Sequence, residues 1–290
     1  MVEHGGRQAA TARRTLNFTV SGDRFGTVAR LLTSFEGPKS YMTTQEITAA
    51  LPAPSALRLN EIALFLDLDG TLAPIASRPQ DVRPDPRRTT LLERLSRALD
   101  GRLAVVSGRT LADIDRILEG RVKAVAAVHG LILRDPEGRV TQAEPHPALA
   151  EAGRRIRDFA GRDSGMIVEE KGLSVALHYR LARAQAEAAK ACARALADET
   201  GLYLQTGDMV EELRTPGPTK GDSVATFLQL APFAGGRPVF VGDDATDEHG
   251  FEAVQAVGGM GVLVGPGRPT AARFRLSGVE AALAWLEAAL

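Results

Sequence analysis

The sequence predicts an α/β protein: a doubly wound, Rossmann-like parallel sheet that carries a smaller α+β domain as an insertion. Short apolar runs without polar alternation are typical of strands that are covered on both faces. Amphipathic stretches between these runs are typical of the covering helices. A change of this rhythm in the middle of the chain indicates the inserted domain.

The strands and helices of the large sheet follow from this pattern. The apolar runs that predict strands are IALFL (62–66), LAVV (103–106), AVAAV (124–128), PVFV (238–241) and GVLV (261–264). The amphipathic stretches that predict helices are 87–99, 110–118, 222–230, 246–257 and 279–290. Because strands and helices alternate, we expect a parallel sheet with helices on both faces.

The middle of the chain predicts the inserted α+β domain over 147–214. Helices are expected at 148–159 and 183–200, and four strand-like runs complete the domain: MIVEE, LSVALHYR, LYLQTG and MVEELR. The core is then expected over 59–146 and 215–290.

The first 58 residues have mixed polarity and no long periodic segment, which predicts a poorly ordered or loosely docked extension. Met42 is an alternative start of the protein within this segment.

Composition excludes several classes of function. The net charge of −1 and the pI near 6.5 provide no basic field for nucleic acid or an anionic membrane. The single cysteine, Cys192, excludes an internal disulfide and a cysteine zinc cluster, and its alanine-rich surroundings predict a packing role. No membrane-spanning run and no apolar signal segment is present, so we expect a cytoplasmic protein with no obligate protein partner.

Polar side chains follow three of the predicted parallel strands: Asp67 and Asp69, Ser107, and Asp243 and Asp244. The carboxyl ends of parallel strands share one edge, where open α/β sheets bind ligands. Lys220 lies at the start of the predicted helix 222–230, where backbone amides favour a phosphate. Each cluster alone is also compatible with an ordinary turn or helix cap, but their convergence favours a site. Clustered carboxylates with oxygen-only ligands suit Mg²⁺.

Four segments resemble, in order, the motifs of the haloacid dehalogenase superfamily of phosphohydrolases: DLDGTL (67–72), VVSGR (105–109), the lysine–glycine pair 220–221 and GDDATDE (242–248). Further segments are similar to trehalose-6-phosphate phosphatases: VHG (128–130), EEKGLSVALHYR (169–180) and VEELRTPGPTKG (210–221). The resemblance implies a Mg²⁺-dependent phosphatase that converts trehalose 6-phosphate, a small-molecule substrate, to trehalose and phosphate.

The resemblance also implies roles for the residues of the core. Asp67 is the expected nucleophile, which forms an aspartyl-phosphate, and Asp69 is the expected general acid and base. Ser107 is expected to donate a hydrogen bond to the phosphate, and Lys220 to offset its charge.

The metal site implied by the resemblance uses the same loops. Mg²⁺ is expected to be bound by the carboxylates of Asp67 and Asp243 and by the backbone carbonyl of Asp69. Asp244 and Asp247 are expected as auxiliary or outer ligands, and the sequence does not decide between them.

Sugar recognition is carried over to residues of the inserted domain and of the core edge that faces it: Glu169, Lys171, His178, Arg180 and Glu212, with His129 and Gly130. Arg109 is expected either to contact the substrate or to pack its own loop. For His178 and Arg180, the exposed face of an ordinary sheet is an equal alternative, although their spacing places both on one face.

Two other functions stay open at this point. A related sugar phosphatase, acting on sucrose phosphate or a mannosyl-glycerate phosphate, keeps the core residues and differs in the inserted domain. A catalytically inactive sugar-phosphate-binding regulator is disfavoured because Asp67, Asp69, Lys220 and Asp243 are all present.

Overall fold

A computed structural model of the protein describes residues 51–290. Most of the expected N-terminal extension, including Met42, lies outside the described residues. Residues 51–58, which belong to that extension, contact the C-terminal part of the chain. The carbonyl of Pro52 accepts from the Arg275 amide at 2.9 Å, and the carbonyl of Ser55 accepts from Trp285 Nε1 at 2.9 Å. Leu57 is buried in the apolar core.

The strands of the described residues form two separate sheets. In chain order they are β1 (Ile62–Leu66), β2 (Leu103–Val106), β3 (Ala124–Ala127), β4 (Ile132–Arg134), β5 (Val140–Gln142), β6 (Ile167–Glu170), β7 (Ser174–His178), β8 (Tyr203–Gly207), β9 (Val210–Arg214), β10 (Arg237–Gly242), β11 (Met260–Val264) and β12 (Phe274–Leu276).

The large sheet has the order β12-β11-β10-β1-β2-β3-β4-β5, and the strands from β12 to β3 are parallel. The five predicted strands are present at its centre. Strands β4 and β5 pair antiparallel at one edge, and β12 closes the other. The sequence pattern missed these three strands because each has only three residues and none is fully buried.

The helices are α1 (Pro86–Ala98), α2 (Leu111–Leu118), α3 (Leu149–Ala160), α4 (Ala186–Thr200), α5 (Lys220–Phe227), α6 (Glu248–Ala256) and α7 (Val279–Glu287). Apolar residues of α1, α2 and α7 pack on one face of the large sheet, and those of α5 and α6 pack on the other. The doubly wound fold is therefore confirmed. Within 51–290, none of these helices is long and apolar enough to cross a bilayer.

The small sheet has the order β6-β7-β9-β8 and is antiparallel throughout. Helices α3 and α4 cover one of its faces with an apolar core of their own. Chain order places this α+β unit between β5 and α5, as an insertion into the core; we call it the cap. The other face of its sheet meets the carboxyl edge of the large sheet, where both units line one pocket.

Candidate active site

The loop after β1 places two carboxylates at the carboxyl edge of the large sheet. The Asp67 amide donates to the carbonyl of Val241 at 2.9 Å, which fixes the start of the loop beside β10. Gly70 has φ of 78°, and a Cβ there would lie 2.0 Å from a carboxylate oxygen of Asp243. Only glycine therefore lets the loop bring Asp67 and Asp69 up to Asp243.

Lys220, the first residue of α5, reaches into the same edge from the opposite side of the sheet. Its Nζ donates to Oδ1 of Asp67 at 2.9 Å and to Oδ1 of Asp247 at 2.7 Å, and the side chain is only 3% exposed. Burial alone would lower the pKa of Lys220, but Asp247 and Asp67 raise it well above its usual value. Lys220 is therefore a fixed positive charge beside the expected nucleophile.

Three carboxylates of the core come together around this lysine: ligand oxygens of Asp67, Asp243 and Asp247 all lie within 4.8 Å of one another. Asp247 also accepts from the backbone amides of Asp243 and Asp244, at 2.9 and 3.1 Å, and does not line the pocket. Asp244 lines the pocket, but one of its oxygens accepts from the amide and the hydroxyl of Thr246. Asp247 thus supports the loop from behind, and Asp67 and Asp243 face the pocket.

The protonation of these carboxylates reflects their crowding. Burial, followed by repulsion from Asp247 and Asp244, raises the pKa of Asp243 to about 8. Burial likewise raises the pKa of Asp67 well above its usual value, although Lys220 opposes this. Such a set of hard oxygen donors with excess negative charge fits a divalent cation. The side chains present therefore fit the metal that the family implies.

Arg109 contacts the second aspartate of the loop. Its Nε and Nη2 donate to the two carboxylate oxygens of Asp69 at 2.6 and 2.8 Å, and its Nη1 donates to the carbonyl of Pro79 at 2.9 Å. Ser107 lies beside it at the end of β2, where its hydroxyl accepts from the Arg109 amide at 3.3 Å. Arg109 thus orients Asp69 in this structure, a contact that neither sequence interpretation of this arginine included.

The cap presents two hydrogen-bonded side-chain pairs to the pocket. Lys171 Nζ donates to Oε2 of Glu212 at 2.7 Å and to the carbonyl of Gly108, a core residue, at 2.9 Å. His178 Nε2 lies 2.9 Å from Oε2 of Glu169. Burial would raise the pKa of Glu212, but Lys171 and His129 lower it well below its usual range. Lys171 therefore links the charged face of the cap to the loop that follows β2.

Of the two core residues expected to face the sugar, His129 lines the pocket and Gly130 does not. The ring of His129 lines the pocket with Nε2 at 3.4 Å from Glu212, and its buried Nδ1 has no hydrogen-bond partner within residues 51–290. Burial lowers the pKa of His129, which favours the neutral ring. Gly130 does not line the pocket; with φ of 106°, it leaves room for the carbonyl of Thr219. Gly130 thus allows the start of α5 to approach.

One pocket collects the other expected side chains: Asp67, Asp69, Ser107, Arg109, His129, Glu169, Lys171, His178, Arg180, Glu212, Lys220, Asp243 and Asp244. Arg180 donates to the carbonyl and the carboxylate of Asp208 at 2.8 and 3.0 Å at its margin. The sequence analysis missed Gln205 and Ile75, which also line the pocket. Gln205 pairs with Glu212 across β8 and β9, so strand register was the signal for it; for Ile75 no sequence signal existed.

Solved structures place this fold and site among known enzymes. A phosphatase of the haloalkanoate (HAD) superfamily from Bacteroides thetaiotaomicron is similar in fold, with a TM-score of 0.55, 15% identity, and coverage of 82% of this chain and 96% of that one. A trehalose-6-phosphate phosphatase related protein has a TM-score of 0.66 and 27% identity, with coverage of 77% and 95%. The chain thus has the fold of capped phosphatases, and its nucleophile and acid candidates lie at the carboxyl edge of the large sheet.

The family is shown by sequence. The family model described as Trehalose-phosphatase matches residues 65–280, and the chain belongs to this family. The trehalose-6-phosphate phosphatase of Escherichia coli K12 is 38% identical over 227 residues, which cover 78% of this chain and 85% of that protein. The chain is thus an enzyme, a phosphoric monoester hydrolase.

Proposed function

We propose that this phosphatase hydrolyses trehalose 6-phosphate to trehalose and phosphate with the help of Mg²⁺. The observation that carries the proposal is the single pocket with two unlike walls. The core wall holds Asp67, Asp243 and Lys220, which suit a phosphoryl group, and the cap wall holds charged groups that suit sugar hydroxyls. The name of the Escherichia coli relative supports the same substrate.

In this mechanism, a carboxylate oxygen of Asp67 attacks phosphorus, and the bond to the sugar oxygen breaks. Asp69 donates a proton to that leaving oxygen and then accepts one from the water that hydrolyses the aspartyl-phosphate. The bidentate contact with Arg109 orients Asp69 before substrate binds. Ser107 donates a hydrogen bond to a phosphate oxygen, and Lys220 offsets the negative charge from its fixed position.

Mg²⁺ would be held by the carboxylates of Asp67 and Asp243 and by the backbone carbonyl of Asp69. When bound, it would neutralise charge on the phosphate and on the aspartates, so that one anion can approach another. Asp247 holds the Asp243 loop through two backbone amides and holds Lys220 through its other oxygen. These contacts favour a supporting role for Asp247.

The cap would bind the sugar by exchanging hydrogen bonds between its own side chains for hydrogen bonds to sugar hydroxyls. Glu212, Lys171 and Glu169 are already paired within the cap, so a disaccharide must offer hydroxyls that replace or share those hydrogen bonds. Such contacts would require the cap to lie over the core, and the bond from Lys171 to the Gly108 carbonyl supports this arrangement. Binding energy from the distal glucose unit would therefore favour the closed arrangement.

The test is a panel of phosphate esters with purified protein and Mg²⁺, with released phosphate as the measurement. Trehalose 6-phosphate should have the highest kcat/KM, at least about tenfold above sucrose phosphate and mannosyl-glycerate phosphate. A higher value for either of these esters would assign the protein to the related sugar phosphatases. Binding of trehalose 6-phosphate without phosphate release would instead indicate a sugar-phosphate-binding regulator.

A further inference from the structure

The two walls of the pocket differ in polarity beyond the phosphate-binding groups. The cap contributes mainly charged and amide side chains, such as Glu169, Lys171 and Gln205. On the core side, all five residues of the segment 75–79 line the pocket: Ile75, Ala76 and Pro79 are apolar, and Ser77 and Arg78 are polar. No charge of this segment is needed for the proposed chemistry, so its apolar side chains require a separate explanation.

Ile75 is the most exposed of the apolar side chains in this segment. Its relative exposure is 48%, whereas Leu72 and Ala73, just before it, are buried. The large apolar side chains that are exposed within 51–290 are Ile75, Val140, Leu181, Tyr203, Val257 and Leu290. Of this set, Ile75 alone lines the pocket that contains Asp67. A single exposed apolar side chain is ordinary on a surface, but one at the mouth of a ligand pocket is available to a ligand.

The backbone holds Ile75 in this position from both sides. On one side, the Gly70 amide donates to the carbonyl of Ala73 at 2.7 Å, which closes the turn after the nucleophile. On the other side, the carbonyl of Pro79 accepts from Arg109 at 2.9 Å, the same arginine that holds Asp69. Ala76 packs inward against the apolar core. Ile75 therefore has a fixed relation to Asp67 and Asp69.

We propose that Ile75 is a substrate-contact residue that packs against the apolar C–H face of the sugar carried by the phosphate ester. A pyranose ring presents hydroxyls at its rim and C–H groups on its faces, so the charged groups of the cap and the apolar side chain of Ile75 match it. This proposal rests on the proposed function only in taking a sugar phosphate as the substrate. It adds a specificity residue from the core to those of the cap.

The experiment compares kcat/KM for two substrates: trehalose 6-phosphate and acetyl phosphate, which has no ring. Ile75→Ala should lower kcat/KM for the sugar phosphate by about tenfold, mostly through KM, because apolar contact area is lost from the bound substrate. The loss should be at least about fivefold larger than the loss on acetyl phosphate. Ile75→Leu, which keeps the apolar area, should restore most of the sugar-phosphate activity.

Val257→Ala is the matched control, because Val257 is 60% exposed and lies outside the pocket, after α6. It should leave both reactions and the Tm unchanged. Equal losses on both substrates for Ile75→Ala, or no loss on the sugar phosphate, would overturn the proposal. If another ester of the panel is the better substrate, the trehalose assignment fails, and the same comparison with that ester decides the role of Ile75.

Discussion

The core and the cap each present a cluster of charged side chains to one pocket, and the two clusters differ in how their carboxylates are paired. In the core, buried carboxylates outnumber their cation: Asp67, Asp243 and Asp247 crowd around Lys220, and the pKa values of all three carboxyls are raised. In the cap, each carboxylate has its own partner, and the pKa values of Glu212 and Glu169 are lowered. The core cluster therefore suits an added cation, whereas the cap cluster is balanced and suits neutral hydroxyls.

Chelation is expected to have the largest effect, because only the core cluster has excess negative charge. Treatment with EDTA should reduce phosphate release to background, and Mg²⁺ should restore it completely. Added Mg²⁺ should also raise the Tm, since a ligand that binds only the folded state stabilises it. Full activity after exhaustive chelation would contradict the metal assignment.

Replacement of Asp67, the proposed nucleophile, tests the core cluster directly. Asp67→Asn should remove at least about 4 kcal/mol of transition-state stabilisation, roughly a thousandfold in rate. The neutral amide has the same shape and removes a buried negative charge, and Lys220 keeps its bond to Asp247, so the Tm should not fall. Turnover above a tenth of the unmodified rate would show that another residue is the nucleophile.

Removal of one charge from the buried pair of the cap should instead lower the free energy of unfolding. Lys171 and Glu212 are 7% and 5% exposed, and Lys171→Met or Glu212→Gln removes the nearest opposite charge from a partner that stays buried. The other contacts of these side chains, from Ser174 to Glu212 and from Lys171 to the Gly108 carbonyl, do not replace that charge. Each substitution should lower the free energy of unfolding by about 3 kcal/mol. The double variant should lose less than the sum of the two.

The control for this pair is Lys190→Met, which breaks an exposed pair with Glu187. It should leave the free energy of unfolding unchanged within error. Denaturant unfolding measures all four variants. Additive losses at 171 and 212 would mean that the two side chains do not stabilise each other.

Substitutions of Asp247 and Asp244 test which of the two aspartates supports the metal-binding loop and which binds the metal. Asp247→Asn should lower activity by about 10- to 100-fold, as expected for a group that orients metal-binding side chains. Asp244→Asn should have a smaller effect, because Asn caps a helix as well as Asp does. Titration of activity with Mg²⁺ compares the two variants, and a larger loss of Mg²⁺ affinity for Asp244→Asn would reverse the assignment.

The chelated protein should also show a pH dependence of stability. The pKa of Asp243 is raised to about 8 in the fold, so between about pH 4 and 8 the folded state binds a proton that the unfolded state lacks. Its contribution to stability is complete below the unfolded pKa and declines as pH rises, until it is lost above about 8.

Asp243→Asn cannot titrate, so its Tm relative to the unmodified protein should rise from pH 5 to 8 and level off above that. Thermal unfolding in EDTA measures this difference, and added Mg²⁺ should reduce it. A constant difference between the two proteins across this range would show that Asp243 does not carry the raised pKa.

Local sequence was sufficient for the parallel strands at the centre of the large sheet, the helices and the order of the cap elements, because each depends on an apolar pattern within about a dozen residues. It also placed Asp67, Ser107 and Asp243 at strand ends, where parallel topology brings them to one edge. Short edge strands such as β4 and β5 were missed because partial burial of three residues produces no pattern.

The sequence alone determined which chemical groups this protein has and on which strand or helix each lies, because hydrophobic period and motif spacing are properties of neighbouring residues. Only the tertiary structure decided how those groups pair. Lys220 and Asp67 are 153 residues apart, and Lys171 meets the Gly108 carbonyl across 63 residues. The contact of Arg109 with Asp69 and the position of Ile75 depend in the same way on how distant loops pack, and nothing in a local pattern encodes that geometry.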